Sequence, residues 1–303
     1  MNSIDMADSG TTPAALVEIR RRSGIAALLG RAAKTPRGAV GLLLLGTVVA
    51  LAFLGPWFAA HSPYDFFGAP YQAPDAEFPL GTDNMGRDTL SRLLFGGRTL
   101  LTLAICATVC TMVIGTLLGL FAGHARGRAD SIVMRLLDVI LAFPDRVLVL
   151  LCVAVLGTSN LVMVLSIALA FAPGIARVAR ATTIEVASRE FVEYAEALGL
   201  SRWRLLTREI LPNILTPLMV EAGFRLTWAI GLVAGMNFLG FGVQPPNADW
   251  GLMINECREG MLMQPWPVAA PLICIAVFLI GVTLFGDALS RAAGRTISVG
   301  GKA

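Results

Sequence analysis

Charged residues interrupt the apolar stretches of this sequence, and charges in such surroundings pair with one another or line a wet cavity. Six positions qualify: Asp138, Asp145, Arg146, Glu221, Arg225 and Asp287. Glu221 and Arg225 stand one helical turn apart, so they are predicted to form an ion pair. Asp145 and Arg146 follow the kink signal Phe143-Pro144, where freed backbone carbonyls need new partners. We expect these two charges to border a transport pathway, and a packing pair across helices is the alternative.

Residues that hold metals or attack substrates are present but are not arranged for that chemistry. The five cysteines lack CxxC spacing and the two histidines are isolated, which predicts neither a metal site nor a disulfide framework. Asp83, Asn84 and Asp88 do not complete a calcium-loop pattern. The sequence contains no GxxxxGK[ST] motif. We therefore expect a chain that binds no cofactor, hydrolyses no ATP and is not an enzyme.

The composition points to a membrane protein. Of 303 residues, 55% are hydrophobic and 15% are charged, whereas soluble domains carry about 25% charged residues. The net charge of +3 provides no basic field, which argues against a nucleic-acid partner. The 31 glycines suit membrane helices, because small residues let helix backbones approach closely.

Apolar runs of about 20 residues, enough to cross a hydrocarbon core as a helix, occur six times. The predicted spans are residues 38–60, 99–123, 137–157, 161–179, 213–242 and 266–286. The fold class is therefore an all-α polytopic membrane protein with six transmembrane helices. The predicted divisions are a tail 1–37, a first helix 38–60, an outer segment 61–98, a five-helix core 99–290 and a tail 291–303.

The distribution of Lys and Arg predicts the orientation, because cytoplasmic loops carry an excess of positive charge. With a cytoplasmic N-terminus, the inner segments together with Arg177 hold 18 basic residues and the outer segments hold four. Both termini are therefore predicted to be cytoplasmic.

The long inner loop 188–212 is predicted to be a helical hairpin. Its first helix runs from the N-cap Ser188 to a terminal glycine, Gly199. Apolar residues at i, i+3, i+4 and i+7 form one stripe on it: Phe191, Tyr194, Ala195 and Leu198. A second helix is expected to begin at Ser201 and to stop at Pro212. From periodicity alone, a helix lying on lipid headgroups is an equal alternative.

The outer segments contain two turn-rich stretches. Thr82, Asp83 and Asn84 are predicted to cap a short helix from about Asp88 to Phe95, lying on the outer membrane surface. Gln244-Pro245-Pro246-Asn247 cannot continue a helix. We expect this stretch to form a rigid turn, and the functional alternative is a surface that meets a binding protein.

At the hairpin the sequence becomes recognisable. The stretch Glu193-Tyr194-Ala195-Glu196-Ala197-Leu198-Gly199, followed by Ile210-Leu211-Pro212-Asn213, resembles the EAA loop of ABC importer permeases. Tyr194 stands where the first alanine is usual, and Glu209 stands where an isoleucine is usual. The resemblance implies that this loop couples the permease to an ATPase through Glu193, Tyr194, Ala195, Gly199, Phe191 and Leu198.

Further blocks resemble the dipeptide/oligopeptide branch of these permeases. They are Pro79 to Asp88, Phe238 to Pro246 with Trp250-Gly251, Arg135 to Asp138 with Phe143-Pro144, and Gly286-Asp287-Ala288. The periplasmic signature that the resemblance implies comprises Gly81, Thr82, Asp83, Gly86, Arg87, Asp88, Gln244, Pro245 and Pro246. The similarity covers about residues 30–295 and is nearest to the C-type subunit of peptide/nickel transporters.

This resemblance implies a type I ABC importer permease in the bacterial inner membrane. The implied partners are a B-type permease, two ATP-binding subunits, an extracytoplasmic solute-binding protein and lipid. Dipeptides, oligopeptides, glutathione and nickel complexes all stay open as solutes. A stand-alone secondary carrier is the alternative from another class, but it predicts inverted repeats that the sequence does not show. A third class of function is a membrane scaffold or sensor, which would need no water-filled pathway.

Overall fold

A bundle of long helices forms the body of the protein. The computed structural model describes residues 29–125 and 127–300. The helices are α1 (Pro36–Leu54), α2 (Thr89–Ala125), α3 (Gly127–Leu141), α4 (Asp145–Leu156), α5 (Asn160–Ala187), α6 (Glu190–Ala197), α7 (Arg202–Phe238), α8 (Trp250–Cys257) and α9 (Trp266–Gly300). Within the described residues five helices are long and apolar enough to span a membrane: α1 with its 3₁₀ extension to Phe58, α2, α5, α7 and α9.

The sixth predicted span, residues 137–157, is not one straight helix. Its residues belong to α3 and α4, which meet at an angle of 84° and pass the length and hydropathy test only together. Pro144 lacks a backbone N–H and disfavours a helical residue before it, so the helix ends at Leu141 and restarts at Asp145. The six-span prediction therefore holds only if this bent pair counts as one span.

Glycines determine how closely the central helices approach. On α2, Gly115, Gly119 and Gly123 repeat every fourth residue and lie against α5. A Cβ at Gly119 would lie 2.4 Å from the Ala176 carbonyl oxygen, so only glycine permits this spacing. Such small residues at fourfold spacing are typical of helix packing in membranes. They hold α2 and α5 as a parallel pair, with Gly123 beside Thr183 at one end.

The helix ends define two regions at opposite ends of the bundle. The hairpin consists of residues 188–212 and follows the end of α5. The cap consists of loop 59–88 and the segment 239–265, which precede α2 and α9 respectively. α7 connects the two regions, since it begins in the hairpin at Arg202 and reaches the cap at Phe238.

The observed helices extend across several of the predicted divisions. The expected short helix from Asp88 to Phe95 is the first part of α2, which continues without a break to Ala125. The expected boundary between 98 and 99 therefore falls inside a helix. α9 likewise extends to Gly300, across the expected start of the tail at 291. The tail 1–37 lies largely outside the described residues.

Candidate functional site

The hairpin turns at Gly199. Its first helix is α6, whose N-cap is Arg189 rather than the expected Ser188. Gly199 has a φ of +75°, and its N–H donates to the Glu196 carbonyl. The N–H of Leu200 donates to the Ala195 carbonyl, which completes a Schellman motif. A positive φ strains any L-residue with a Cβ, so glycine suits this position.

Apolar side chains point both into and out of the hairpin. Val192 is fully buried, and it belongs to a cluster with Leu205 and Ile210 that continues into α2 and α5. Ala195 also packs against this cluster and does not share the exposed face of the predicted stripe. The remainder of the stripe is exposed: Phe191 at 39%, Tyr194 at 71% and Leu198 at 81%. Glu193 is exposed beside them.

The second helix of the hairpin does not stop at Pro212. After one turn, Arg202–Arg204, the chain adopts a π-helix over Leu205–Ile210 and then continues as an α-helix to Phe238. Within the π-helix, the N–H of Leu211 donates to the Leu206 carbonyl, five residues back. Because of this wider turn, Pro212 lies in the first turn of the following α-helix, where its missing N–H breaks no hydrogen bond. The hairpin is thereby continuous with α7.

Three adjoining cavities border α4, α5 and α7. One of about 240 Å³ is lined by Asp145, Arg146, Phe171 and Trp228, among others. A second of about 440 Å³ shares Asp145, Phe171 and Trp228 with it and adds Arg225. A third of about 350 Å³ is lined by Arg146 and residues of α4 and α7. We call the first two cavities the cleft. The two charges expected to border a pathway therefore both line it.

Arg225 is held in the cleft from several sides. Its Nε lies 3.7 Å from Glu221 Oε2, the ion pair that the spacing predicts. Its guanidinium lies 5.7 Å from the centre of the Phe171 ring. A Cβ at position 174 would lie 2.6 Å from Arg225 Nη2, so Gly174 leaves the space that this side chain occupies. Asp138, the other expected interior charge on this side, pairs instead with Arg177 at an exposed position.

In the cap, buried charged side chains form a network of ion pairs and hydrogen bonds. Asp83 Oδ1 accepts hydrogen bonds from the N–H groups of Met85 and Arg87, and Oδ2 accepts from Arg87 Nε at 2.6 Å. Glu256 Oε2 accepts from Arg87 Nη2 at 3.1 Å and lies 2.8 Å from Arg92 Nη1. Arg92 also donates to Asp83. The two arginines thus connect the loop, α2 and α8.

The helix caps differ from the prediction at α2. Asp88, and not Thr82, Asp83 or Asn84, accepts hydrogen bonds from the N–H groups of Leu90 and Ser91 at the start of α2. Thr82 instead connects two segments of the loop, since its hydroxyl donates to the Ala69 carbonyl and accepts from the Gln72 N–H. Asp88 also lies 3.3 Å from His61 Nδ1.

Two glycines shape the cap loop. Gly81 and Gly86 have φ values of +68° and +79°. A Cβ at Gly86 would lie 2.1 Å from the Gly68 carbonyl oxygen, and one at Gly81 would lie equally close to Gln264 Nε2. Both positions therefore require glycine.

The segment after α7 reverses the chain as expected. The Pro245–Pro246 peptide bond is cis, and Gln244 Nε2 donates to the carbonyls of Gly240 and Gly242. Trp250 follows, fully buried, with its indole N–H donated to the Leu93 carbonyl at 2.8 Å. Its ring packs on Gly97, where a Cβ would lie 2.4 Å away. These contacts fix α8 against α2.

Burial raises the pKa of two side chains in the cap, Asp249 and Cys257. Asp249 caps α8 by accepting hydrogen bonds from the N–H groups of Gly251 and Leu252. Burial raises the pKa of its carboxyl to about 6, against the lowering effect of the hydrogen bonds from those two N–H groups. Burial also raises the pKa of the Cys257 thiol to about 11, so this cysteine is a neutral packing residue.

Sequence reasoning missed several residues of these regions. Glu256 was not expected in the network, because its partners precede it by more than 150 residues. Phe171, Gly174 and Trp228 were not connected with the cleft. The available signal was weak: an aromatic residue three positions from Arg225 on a helix, and a glycine beside a proline.

The fold defines a class of protein, a helical membrane protein whose described residues form five long apolar helices, or six spans if the bent pair counts as one. Residues 115–295 match the family described as the binding-protein-dependent transport system inner membrane component. The chain belongs to this family, and it is an ABC transporter permease and a multi-pass inner membrane protein. The family implies ATPase and substrate-binding partners in general.

Similar proteins include three named permeases. The di/tripeptide transport system permease DppC of Pseudomonas aeruginosa is 36% identical, covering 84% of this chain and 87% of the relative. The glutathione transport system permease GsiD of Pectobacterium atrosepticum is 34% identical over 84% and 85%. A putative peptide transport system permease of Brucella suis is 33% identical over 95% and 93%.

A solved structure is similar in fold. The inward-facing MetNI methionine ABC transporter matches with a TM-score of 0.54, covering 67% of this chain and 96% of the other, at 17% identity. This likeness supports the helical permease fold predicted from the sequence.

Proposed function

We propose that this chain is one permease of an ATP-driven importer and that the hairpin transmits ATPase movements to the membrane helices. One observation carries the proposal: α6 leaves Phe191, Tyr194 and Leu198 exposed while Val192 anchors it to the helices behind it. Exposed apolar residues on an anchored helix fit the groove of a partner protein. Because the hairpin continues into α7, a displacement of α6 would reach the cleft and the cap.

The partners follow from the family. A B-type permease would complete the pathway, two ATP-binding subunits would receive the hairpins, and a solute-binding protein would dock on the cap. Exposed apolar residues on α3, α4 and the start of α5 support a second permease or lipid at that face: Ile132, Leu136, Val155, Leu156 and Leu161. Alternating access requires that each partner bind the two states with different affinity.

The proposed orientation places both termini and the hairpin in the cytoplasm, with the cap outside. It rests on the 18 basic residues of the inner segments together with Arg177, against four in the outer segments. Reporter fusions after Ala60 and after Arg180 test it. Opposite signals are expected, and equal signals would contradict the orientation.

We propose short peptides as the solute, because relatives of similar length and more than 30% identity are named as di/tripeptide and peptide permeases. Glutathione, itself a tripeptide, is the second candidate, favoured by the glutathione permease among the relatives. Uptake of radiolabelled dipeptide and of glutathione, measured in cells with and without this chain, separates them. Dipeptide uptake that depends on the chain is expected. Uptake of neither solute would contradict the proposal.

A further inference from the structure

Two side chains of opposite charge, Asp145 and Arg225, line the cleft. Within the part of the chain that the structure describes, the Asp145 side chain forms no ion pair and accepts one hydrogen bond, from the Arg146 N–H. Arg225 lines the same cavity of about 440 Å³, and its ion partner Glu221 lies on its own helix. A guanidinium has five N–H donors, so this contact leaves donors for a second carboxylate.

We propose that Asp145 and Arg225 form a dipolar site for the two free termini of a short peptide in transit. Asp145 would accept from the ammonium group, and Arg225 would donate to the carboxylate. Arg225 rather than Arg146 is assigned this role because its guanidinium lies over the Phe171 ring, in the space that Gly174 leaves, whereas Arg146 is exposed. A group fixed before binding loses less entropy on binding.

The remaining lining suits the rest of such a ligand. Phe171 and Trp228 border both cavities and offer apolar surface to small side chains. The two volumes, about 240 and 440 Å³, are in the range of pockets that hold small molecules. This inference rests on the proposed import of peptides and adds which chemical groups of the peptide the permease contacts.

Import by the complete reconstituted transporter tests the proposal. The probes are Ala-Ala, N-acetyl-Ala-Ala and Ala-Ala-amide, each at a saturating concentration. For each probe, the import rate of the variant is divided by that of the wild type. The same binding protein delivers the probe to both transporters, so its preference among the probes cancels in this ratio. Arg177→Gln is the control variant, because Arg177 forms an exposed ion pair and lines neither cavity.

Two separate losses are expected. Asp145→Asn should lower the rates of Ala-Ala and Ala-Ala-amide about tenfold and leave N-acetyl-Ala-Ala unchanged, because only the first two have a free ammonium group. Arg225→Gln should lower Ala-Ala and N-acetyl-Ala-Ala about tenfold and leave the amide unchanged. With Ala-Ala alone, Asp145→Glu and Arg225→Lys should retain import where the neutral variants lose it.

Equal reductions for all three probes, or wild-type rates of Ala-Ala in both neutral variants, would overturn the dipolar site and leave peptide import standing. A wild-type transporter that imports none of the probes would contradict the proposed solute, and the site with it.

Discussion

The cap and the hairpin differ in which side chains they bury: the cap buries charged residues, and the hairpin exposes apolar ones. In the cap, charged side chains are buried and pair with one another: Asp83, Arg87, Arg92 and Glu256 form one network across three elements. In the hairpin, apolar side chains are exposed, with Leu198 at 81%. Buried charges must be paired, whereas an exposed apolar patch indicates an interaction site. The buried charges of the cap therefore stabilise this chain itself, whereas the exposed apolar residues of the hairpin are available to a partner.

The largest expected effect breaks the cap. Glu256→Ala removes one of two carboxylates from buried Arg87 and Arg92, and breaking such a pair costs about 3–5 kcal/mol. Thermal unfolding in detergent should show a much lower Tm. Glu193→Ala is the matched control, because this glutamate is exposed on the hairpin and should change stability by less than about 0.5 kcal/mol. Similar losses in both variants would contradict the comparison.

The next effect depends on pH. The pKa of Asp249 is raised to about 6, so its contribution to stability is present at low pH and is lost as the pH rises through 6. Asp249→Asn keeps an oxygen for the α8 cap without the charge. The variant should match the wild type near pH 4 and exceed it by roughly 3 kcal/mol above pH 7. A stability difference independent of pH would show that Asp249 titrates normally.

The smallest effect separates packing from docking within α6. Val192→Ala should lower stability by about 1–2 kcal/mol, because Val192 is fully buried. Leu198→Ala should leave stability unchanged and weaken ATPase association by about 1–2 kcal/mol, or roughly tenfold. Unfolding and pull-down of both variants give the four values needed. Wild-type association of Leu198→Ala with the ATPase would contradict a role for the exposed stripe in docking.

Local patterns predicted the helical features of this protein well. Hydropathy located five of the six predicted spans as single helices, glycine content predicted close packing, and the pattern from Ser188 to Pro212 predicted a hairpin that turns at Gly199. Where a boundary depended on a proline, the outcome differed. At Pro144 the chain breaks into two helices that meet at 84°. At Pro212 the helix continues, because a π-helix precedes the proline. The sequence near each proline does not predict whether the helix breaks there or continues, because that depends on how the neighbouring helices pack.

Contacts distant in sequence could not be predicted. The partners of Glu256 lie in another part of the chain, and the room for Arg225 comes from Gly174 on a neighbouring helix. Of the i, i+3, i+4, i+7 stripe, Phe191, Tyr194 and Leu198 are exposed whereas Ala195 packs inward, because periodicity defines a face but not which part of it is buried.

Coupling through the hairpin is tested most directly by Gly199→Asp. A Cβ at this residue would meet no atom within 4 Å, so the local cost is the strain of a positive φ, about 1 kcal/mol. Gly157→Asp is a matched control, because Gly157 also has a positive φ and open space but lies between α4 and α5.

ATPase pull-down and solute uptake are measured for both variants in the same membranes. We expect Gly199→Asp to remain in the membrane, to lose uptake, and to bind the ATPase weakly or without response to the binding protein, while Gly157→Asp behaves as the wild type. Wild-type association and uptake in Gly199→Asp would contradict coupling through this hairpin.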